Sequence, residues 1–248
     1  MLDTSIPIPR FGRTYSSHRR VRLSDMDTRG RLRLDAVARF LQDVAIDDVQ
    51  ETGWGMPEHL WFVRRVRLDV LRPFLDDRKV ALTTWCSGTA VLAAGRRWAV
   101  TGDAGGRIEV DSVWIHLDAG ERPTRIGDFG VYAEAAGDRR VSTRLELPDP
   151  PAGAEPTAWA LRATDIDLHG HVNNAVHWQA VEELLPTLAV DPREPVRAEL
   201  DYRQPLDEGE KLDLVTFEHD GSGAVAFVTR RTEVRAVALV GPLADVLA

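Results

Sequence analysis

Thr164-Asp165-Ile166-Asp167-Leu168-His169-Gly170-His171-Val172-Asn173-Asn174 gathers carboxylates, imidazoles and carboxamides in one short run. Such a set can move protons and hold developing charge near neutral pH. His171 can accept or donate a proton in that range. The ring N–H of His169 can donate to a carbonyl oxygen. Gly170 lets the backbone approach a ligand closely and tolerates unusual dihedrals. Asn173 or Asn174 precedes an apolar periodic run and suits a helix N-cap. The amides behind such a cap favour negative charge, so capping and oxyanion stabilisation can be one arrangement. Asp165, Asp167, His169 and His171 also have the donor types of a metal site. However, Gly170 and the following helical pattern make the segment a loop, and no distant His or Cys cluster adds ligands. No metal or organic cofactor is expected.

The same framework occurs earlier, as Ser24-Asp25-Met26-Asp27-Thr28-Arg29-Gly30-Arg31-Leu32-Arg33-Leu34. The aspartates and the glycine repeat. Arg29, Arg31, Arg33 and Leu34 stand where the later copy has His169, His171, Asn173 and Asn174. Asp165 and Asp167 therefore do not distinguish the copies; the histidines do. A second match, Leu68-Asp69-Val70-Leu71-Arg72-Pro73 against Leu200-Asp201-Tyr202-Arg203-Gln204-Pro205, supports an internal duplication with the motif kept in the second copy.

The elements around the loops repeat as well. Leu34, Val37, Ala38, Leu41, Val44 and Ala45 recur at helical spacing, predicting a helix over 35–52 with Asp35 as N-cap and Gly53 as stop. A shorter helix follows the second loop, with His177 and Trp178 as packing residues. After each helix come four β-branched or aromatic runs separated by turn residues, including Asp103-Ala104-Gly105-Gly106. The order is α+β. A proline-rich, acidic stretch ending the first copy reads as a linker, giving domains 1–150 and 151–248.

Composition narrows the partners. The net charge is −8, which argues against nucleic acid. No apolar run is long enough for a membrane span, and the N-terminal stretch lacks a signal-peptide core. A single cysteine, Cys86, in an apparent strand suits a reducing cytoplasm and an inert core position. Arginines cluster at 19–22, 29–33 and 64–67. They read as a basic patch for an acidic carrier or a phosphate, or as scattered surface charge.

Strand, Asp-x-Asp-x-x-Gly-His-Val-Asn-Asn loop, helix and antiparallel meander, twice over, resembles tandem hotdog domains. With the motif in the second copy, the chain is similar to acyl–acyl-carrier-protein thioesterases. Trp61-Phe62-Val63-Arg64-Arg65, Thr84-Trp85 and Leu200-Asp201-Tyr202-Arg203 add to the likeness. The resemblance implies two hotdog units, each a long helix on an antiparallel sheet, and hydrolysis of fatty acyl thioesters on acyl carrier protein. The same fold also allows an acyl-CoA thioesterase or a non-catalytic acyl-thioester binder. By resemblance Asp167 is the general base, the nucleophile or the orienter of an imidazole, and His169 replaces the family's asparagine. Pro205 and Leu206 stand where the plant enzymes carry a glutamate–cysteine pair, which excludes a cysteine nucleophile. The fusion would set the first helix against the second loop. It would place an acyl channel among Phe40, Leu41 and Val44, with Gln42, Asp43 or Asp47 reaching across. A fused pair works as a monomeric pseudo-dimer or as a homodimer.

Overall fold

Along each meander, alternate side chains face opposite sides of a sheet. Val66, Leu68 and Val70 enter the main core while Arg65, Arg67 and Asp69 take the other face. The computed structural model describes residues 7–54, 59–188, 190–230 and 232–243. In the first half, β1 (Thr14–Arg20) leads through the first loop to α1 (Leu34–Thr52). Then come β2 (Leu60–Arg72), β3 (Lys79–Thr89), β4 (Ala93–Gly102), β5 (Arg107–Leu117) and a short α2 (Val131–Ala136). The second half repeats the plan with β6 (Pro156–Trp159), α3 (Asn174–Leu184), β7 (Val196–Tyr202), β8 (Leu212–His219), β9 (Ser222–Thr229) and β10 (Val234–Pro242).

The expected double hotdog is thus present, and its two sheets are one. Ten strands pair antiparallel in the order β1-β3-β4-β5-β2-β7-β10-β9-β8-β6. The halves meet at β2 and β7, where Arg65 pairs with Asp201 and Asp69 with Arg197. These two pairs exchange under the duplication, and Arg67 opposite Glu199 lies on the pseudo-twofold axis. Joining the innermost strands removes two edges that would otherwise lie open. On the inner face, α1 packs against α3, and one core runs through both halves, from Val37 and Val44 to Val181 and Leu200.

Two expectations need correction. Asp35 is not the N-cap of α1; Arg33 precedes the helix, and the Asp35 carboxylate is buried against Arg33 and Arg39. The stretch after the first meander also holds a helix, α2, whose Tyr132 hydroxyl meets Thr52 on α1 at 3.0 Å. The arginine clusters are neutralised in part, with Arg20, Arg22 and Arg29 left exposed. Arg19 pairs with Asp47, Arg31 with Glu182, Arg33 with Asp35 and Arg65 with Glu146. Gly53 does end α1 at φ +76°, and Cys86 is buried with its thiol pushed up by desolvation.

Candidate active site

The two motif loops have the same backbone. In the first, Asp27 N–H donates to Arg31 O, Gly30 N–H to Asp27 O, Arg33 N–H to Asp25 O and Leu32 N–H to Phe74 O. In the second, Asp167 N–H donates to His171 O, Gly170 N–H to Asp167 O, Asn173 N–H to Asp165 O and Val172 N–H to Leu206 O. Buried Asp25 and Asp165 each accept the backbone N–H three residues earlier at 2.8 Å. Gly30 and Gly170 turn the chain at φ +80° and +76°. Nothing lies within 4 Å of a Cβ placed on Gly170, so this glycine is there for its dihedral and not for a close approach.

On this shared frame the side chains diverge. His171 Nδ1 lies 2.8 Å from an Asp207 carboxylate oxygen, and its Nε2 lies 3.8 Å from the carboxylate of Glu121. The ring is partly exposed, and both carboxylates are exposed. A carboxylate can only accept, so the short contact puts a hydrogen on Nδ1 and leaves Nε2 as the nitrogen that can take a proton. Asp207 is held in turn: its N–H donates to Glu210, which is paired with Arg235.

Asp207 was not among the residues expected from the sequence. It lies one position beyond Leu206, in the turn after β7, and Leu206 O accepts from Val172 N–H. That bond brings the turn alongside the motif loop. The duplication contained the signal. In the first half the matching turn bond comes from Phe74, so Leu75 matches Asp207, just as Arg31 matches His171. Both members of the pair are missing from the first half together.

The other expected residues are less concentrated. Asp167 accepts His169 N–H at 2.9 Å, the bond that Asp27 makes to Arg29 N–H at 2.8 Å, so it shapes the loop in both halves. In the first half, burial works to raise the Asp27 carboxyl, but the Arg31 and Arg29 amides and the Arg31 guanidinium hold it below its ordinary range. The His169 side chain is exposed. Asn173 is the N-cap of α3, its amide oxygen accepting Ala175 N–H at 2.9 Å. Asn174 is the first residue of α3, and its carbonyl accepts the Tyr202 hydroxyl. Asp165 faces Arg162 and Asp167 caps its own turn, so the four candidate metal ligands do not converge; among the described residues no His, Cys, Asp and Glu cluster suits a metal ion.

The channel expectation also changes. Phe40, Leu41 and Val44 are closed into the shared core at 8%, 7% and 0% exposure. Asp47 turns away to Arg19, and among the described residues Gln42 and Asp43 make no hydrogen bond to the second loop. The crevice directly behind the pair is instead lined by Val172, Val176, His177, Leu206, Leu212 and Phe227. It is packed shut, without free volume even for a water molecule, where ligand pockets usually offer roughly 300–1,000 Å³.

Models of two families match in chain order: the acyl-ACP thioesterase N-terminal domain over residues 12–128 and the C-terminal domain over residues 151–235. The chain belongs to the acyl-ACP thioesterase family. It is therefore a thioester hydrolase with the family's two-part fold. A Mycobacterium tuberculosis protein described as uncharacterised is 32% identical over 238 residues, covering 94% of this chain and 93% of that protein. The oleoyl-acyl carrier protein thioesterase 2 of Arabidopsis thaliana chloroplasts is 23% identical and covers 89% of this chain and 69% of that protein. Solved structures of a Bacteroides thetaiotaomicron acyl-ACP thioesterase and the Umbellularia californica 12:0-ACP thioesterase share the fold. Their TM-scores are 0.75 and 0.76, each at 18% identity and covering 92% of this chain and 96% of the other. Pro205 and Leu206 stand where the resemblance to the plant enzymes implies a glutamate–cysteine pair, and the next residue of the turn is the Asp207 carboxylate.

Proposed function

We propose that the protein hydrolyses fatty acyl thioesters on acyl carrier protein, with His171 as general base and Asp207 as its partner. The observation that carries this reading is the 2.8 Å contact between His171 and Asp207, made only in the half that keeps the histidine. Water attacks the thioester carbonyl as His171 Nε2 takes its proton. Asp207 keeps the hydrogen on Nδ1 and balances the imidazolium. The N-terminus of α3 follows His171 by three residues and favours negative charge on the carbonyl oxygen. The C–S bond then breaks, the imidazolium protonates the departing sulfur, and free fatty acid and carrier thiol leave. No metal or organic cofactor enters these steps.

His169, Asn173 and Asn174 border the carbonyl in this reading, and Gly170 gives their loop its turn. Asp167 supports the loop through one oxygen. In Asp167→Asn that acceptor survives while the charge is lost, so this variant separates shaping from base chemistry. The test is thiol release from palmitoyl carrier protein and from palmitoyl-CoA across chain lengths. Turnover of the carrier substrate at the higher kcat/KM is expected. His171→Ala and Asp207→Asn should each lower kcat by ~10²–10⁴-fold, the usual worth of a positioned acid–base pair. Binding without turnover at any chain length would overturn the enzymatic assignment, and full activity in both variants would overturn the site.

A further inference from the structure

The carboxylate facing His171 Nε2 comes from the other half of the molecule. Glu121 lies in the turn that follows β5. Asp118 N–H donates to Arg122 O and Glu121 N–H to Asp118 O, both at 2.9 Å. The Asp118 carboxylate accepts the Gly120 and Arg122 amides. Past the turn, Thr124 N–H donates to His116 O, folding the segment back along β5. At the tip Glu121 has φ +59°, a left-handed conformation that non-glycine residues seldom adopt and that recurs at functional positions. This built turn carries the Glu121 carboxylate over the second motif loop, with Oε2 3.8 Å from His171 Nε2.

We infer that Glu121 is a positioning residue of the active site, through which the first half stabilises the proton-bearing state of His171 that forms during hydrolysis. The inference rests on the proposed role of His171. As Nε2 takes a proton from water, positive charge grows on a ring with Asp207 on one side and Glu121 on the other. Each carboxylate favours the charged ring. Among the described residues, the carboxylates paired with the ring are Asp207 from the turn after β7 and Glu121 from the turn after β5; Asp167 and Glu208 lie nearby along the two loops. Behind Asp207, Glu210 is already neutralised by Arg235. Glu121 alone among the facing carboxylates belongs to the half without a motif histidine, so that half supplies part of the site's electrostatics besides its fold.

The test is Glu121→Gln with Glu121→Asp beside it, in the full chain. The side chain is exposed, so both variants are expected to fold, which circular dichroism and thermal unfolding check. With acyl carrier substrate, Glu121→Gln should lower kcat about three- to tenfold at little change in KM. It should also move the acid limb of the kcat/KM profile to lower pH, as loss of a neighbouring negative charge requires. Glu121→Asp should recover part of both. Independently of turnover, NMR titration of the His171 ring, assigned with His171→Ala, should show its midpoint fall in Glu121→Gln while that of exposed His18 stays fixed. An unmoved His171 midpoint would overturn the inference even in an active enzyme. A moved midpoint in a protein that hydrolyses no thioester would leave this coupling standing and refute the proposed reaction.

Discussion

At the scale of single residues, His177 separates the two halves a second time. It occupies the position of Val37, and both are buried, at 4% and 1% exposure. Its ring centroid lies 5.1 Å from that of Tyr202 and 4.9 Å from that of Phe227, and Nδ1 is sealed from water without a well-formed hydrogen bond. The expectation of a packing role holds, with a consequence for stability. Burial lowers the His177 pKa to about 4, against a smaller opposing pull from the Asn173 and Asn174 carbonyls. The unfolded chain takes up this proton near pH 6.5 and the folded chain only near 4. The neutral ring therefore contributes stability above pH 6.5 that is lost as pH falls through 4. A gap of that size corresponds to ~3 kcal/mol. Burial works in the opposite sense on Asp111 and Glu199, raising both carboxyls against the pull of Arg97 and Arg67, so the whole-protein profile mixes signs. A difference profile isolates the ring. Urea unfolding at a series of pH values should show His177→Phe losing less stability than wild type between pH 6.5 and 4. Parallel curves would show that the ring is not a buried neutral base.

At the scale of elements, the two helices begin differently, and this explains why the motif loops share a backbone but not a function. Asn173 caps α3 from within its own chain segment. Arg33 cannot do this for α1, and Glu182 on α3 accepts Leu34 N–H in its place. Arg31 donates to the same Glu182 carboxylate at 2.6 and 3.1 Å while itself 3% exposed. The position held by His171 in one loop bolts the other loop to the opposite helix. Arg31→Met should cost ~3–5 kcal/mol by urea unfolding, because it strands a buried carboxylate. Adding Glu182→Gln should recover a substantial part, since the amide oxygen still caps α1 and no charge is left alone. An additive double variant would argue that the pair does not act as a unit. The strands were legible because alternation and turn residues mark them locally. Helix α2 was not: it is short, and its Tyr132 is held by Thr52 and Asp48 O, contacts made only after folding. Asp207 was legible in principle, by setting Leu75 opposite it. Glu121 was not, since nothing local in the sequence says which turn closes over which loop.

At the scale of the whole molecule, the joined sheet and the linker make the halves one body. The composition of residues 144–158 reads as a linker, yet its start is fastened to the second half. Asp201 accepts the Glu146 and Leu147 amides at 2.8 and 2.9 Å, and Arg203 donates to Leu147 O. Beneath it, Asp69 and Arg197 form a two-point ion pair across the β2–β7 seam. The Arg31–Glu182 and Glu121–His171 contacts cross between the halves at separate places. Covalent continuity is thus not what keeps the site assembled. Gly153, exposed in a turn at φ +83° with open space around it, is a place to test this. A protease site inserted there and cut in the folded protein leaves the fastened segment on the first fragment, gripping β7 of the second. The nicked protein should elute as a single species of unchanged size and keep its thioesterase activity. The fragment from 154 onward, expressed alone, exposes the β7 edge and the α3 face and should aggregate or remain unfolded. Separation of the nicked fragments under native conditions would show that the seam is too weak to hold Glu121 over His171, and that the fusion itself maintains the active site.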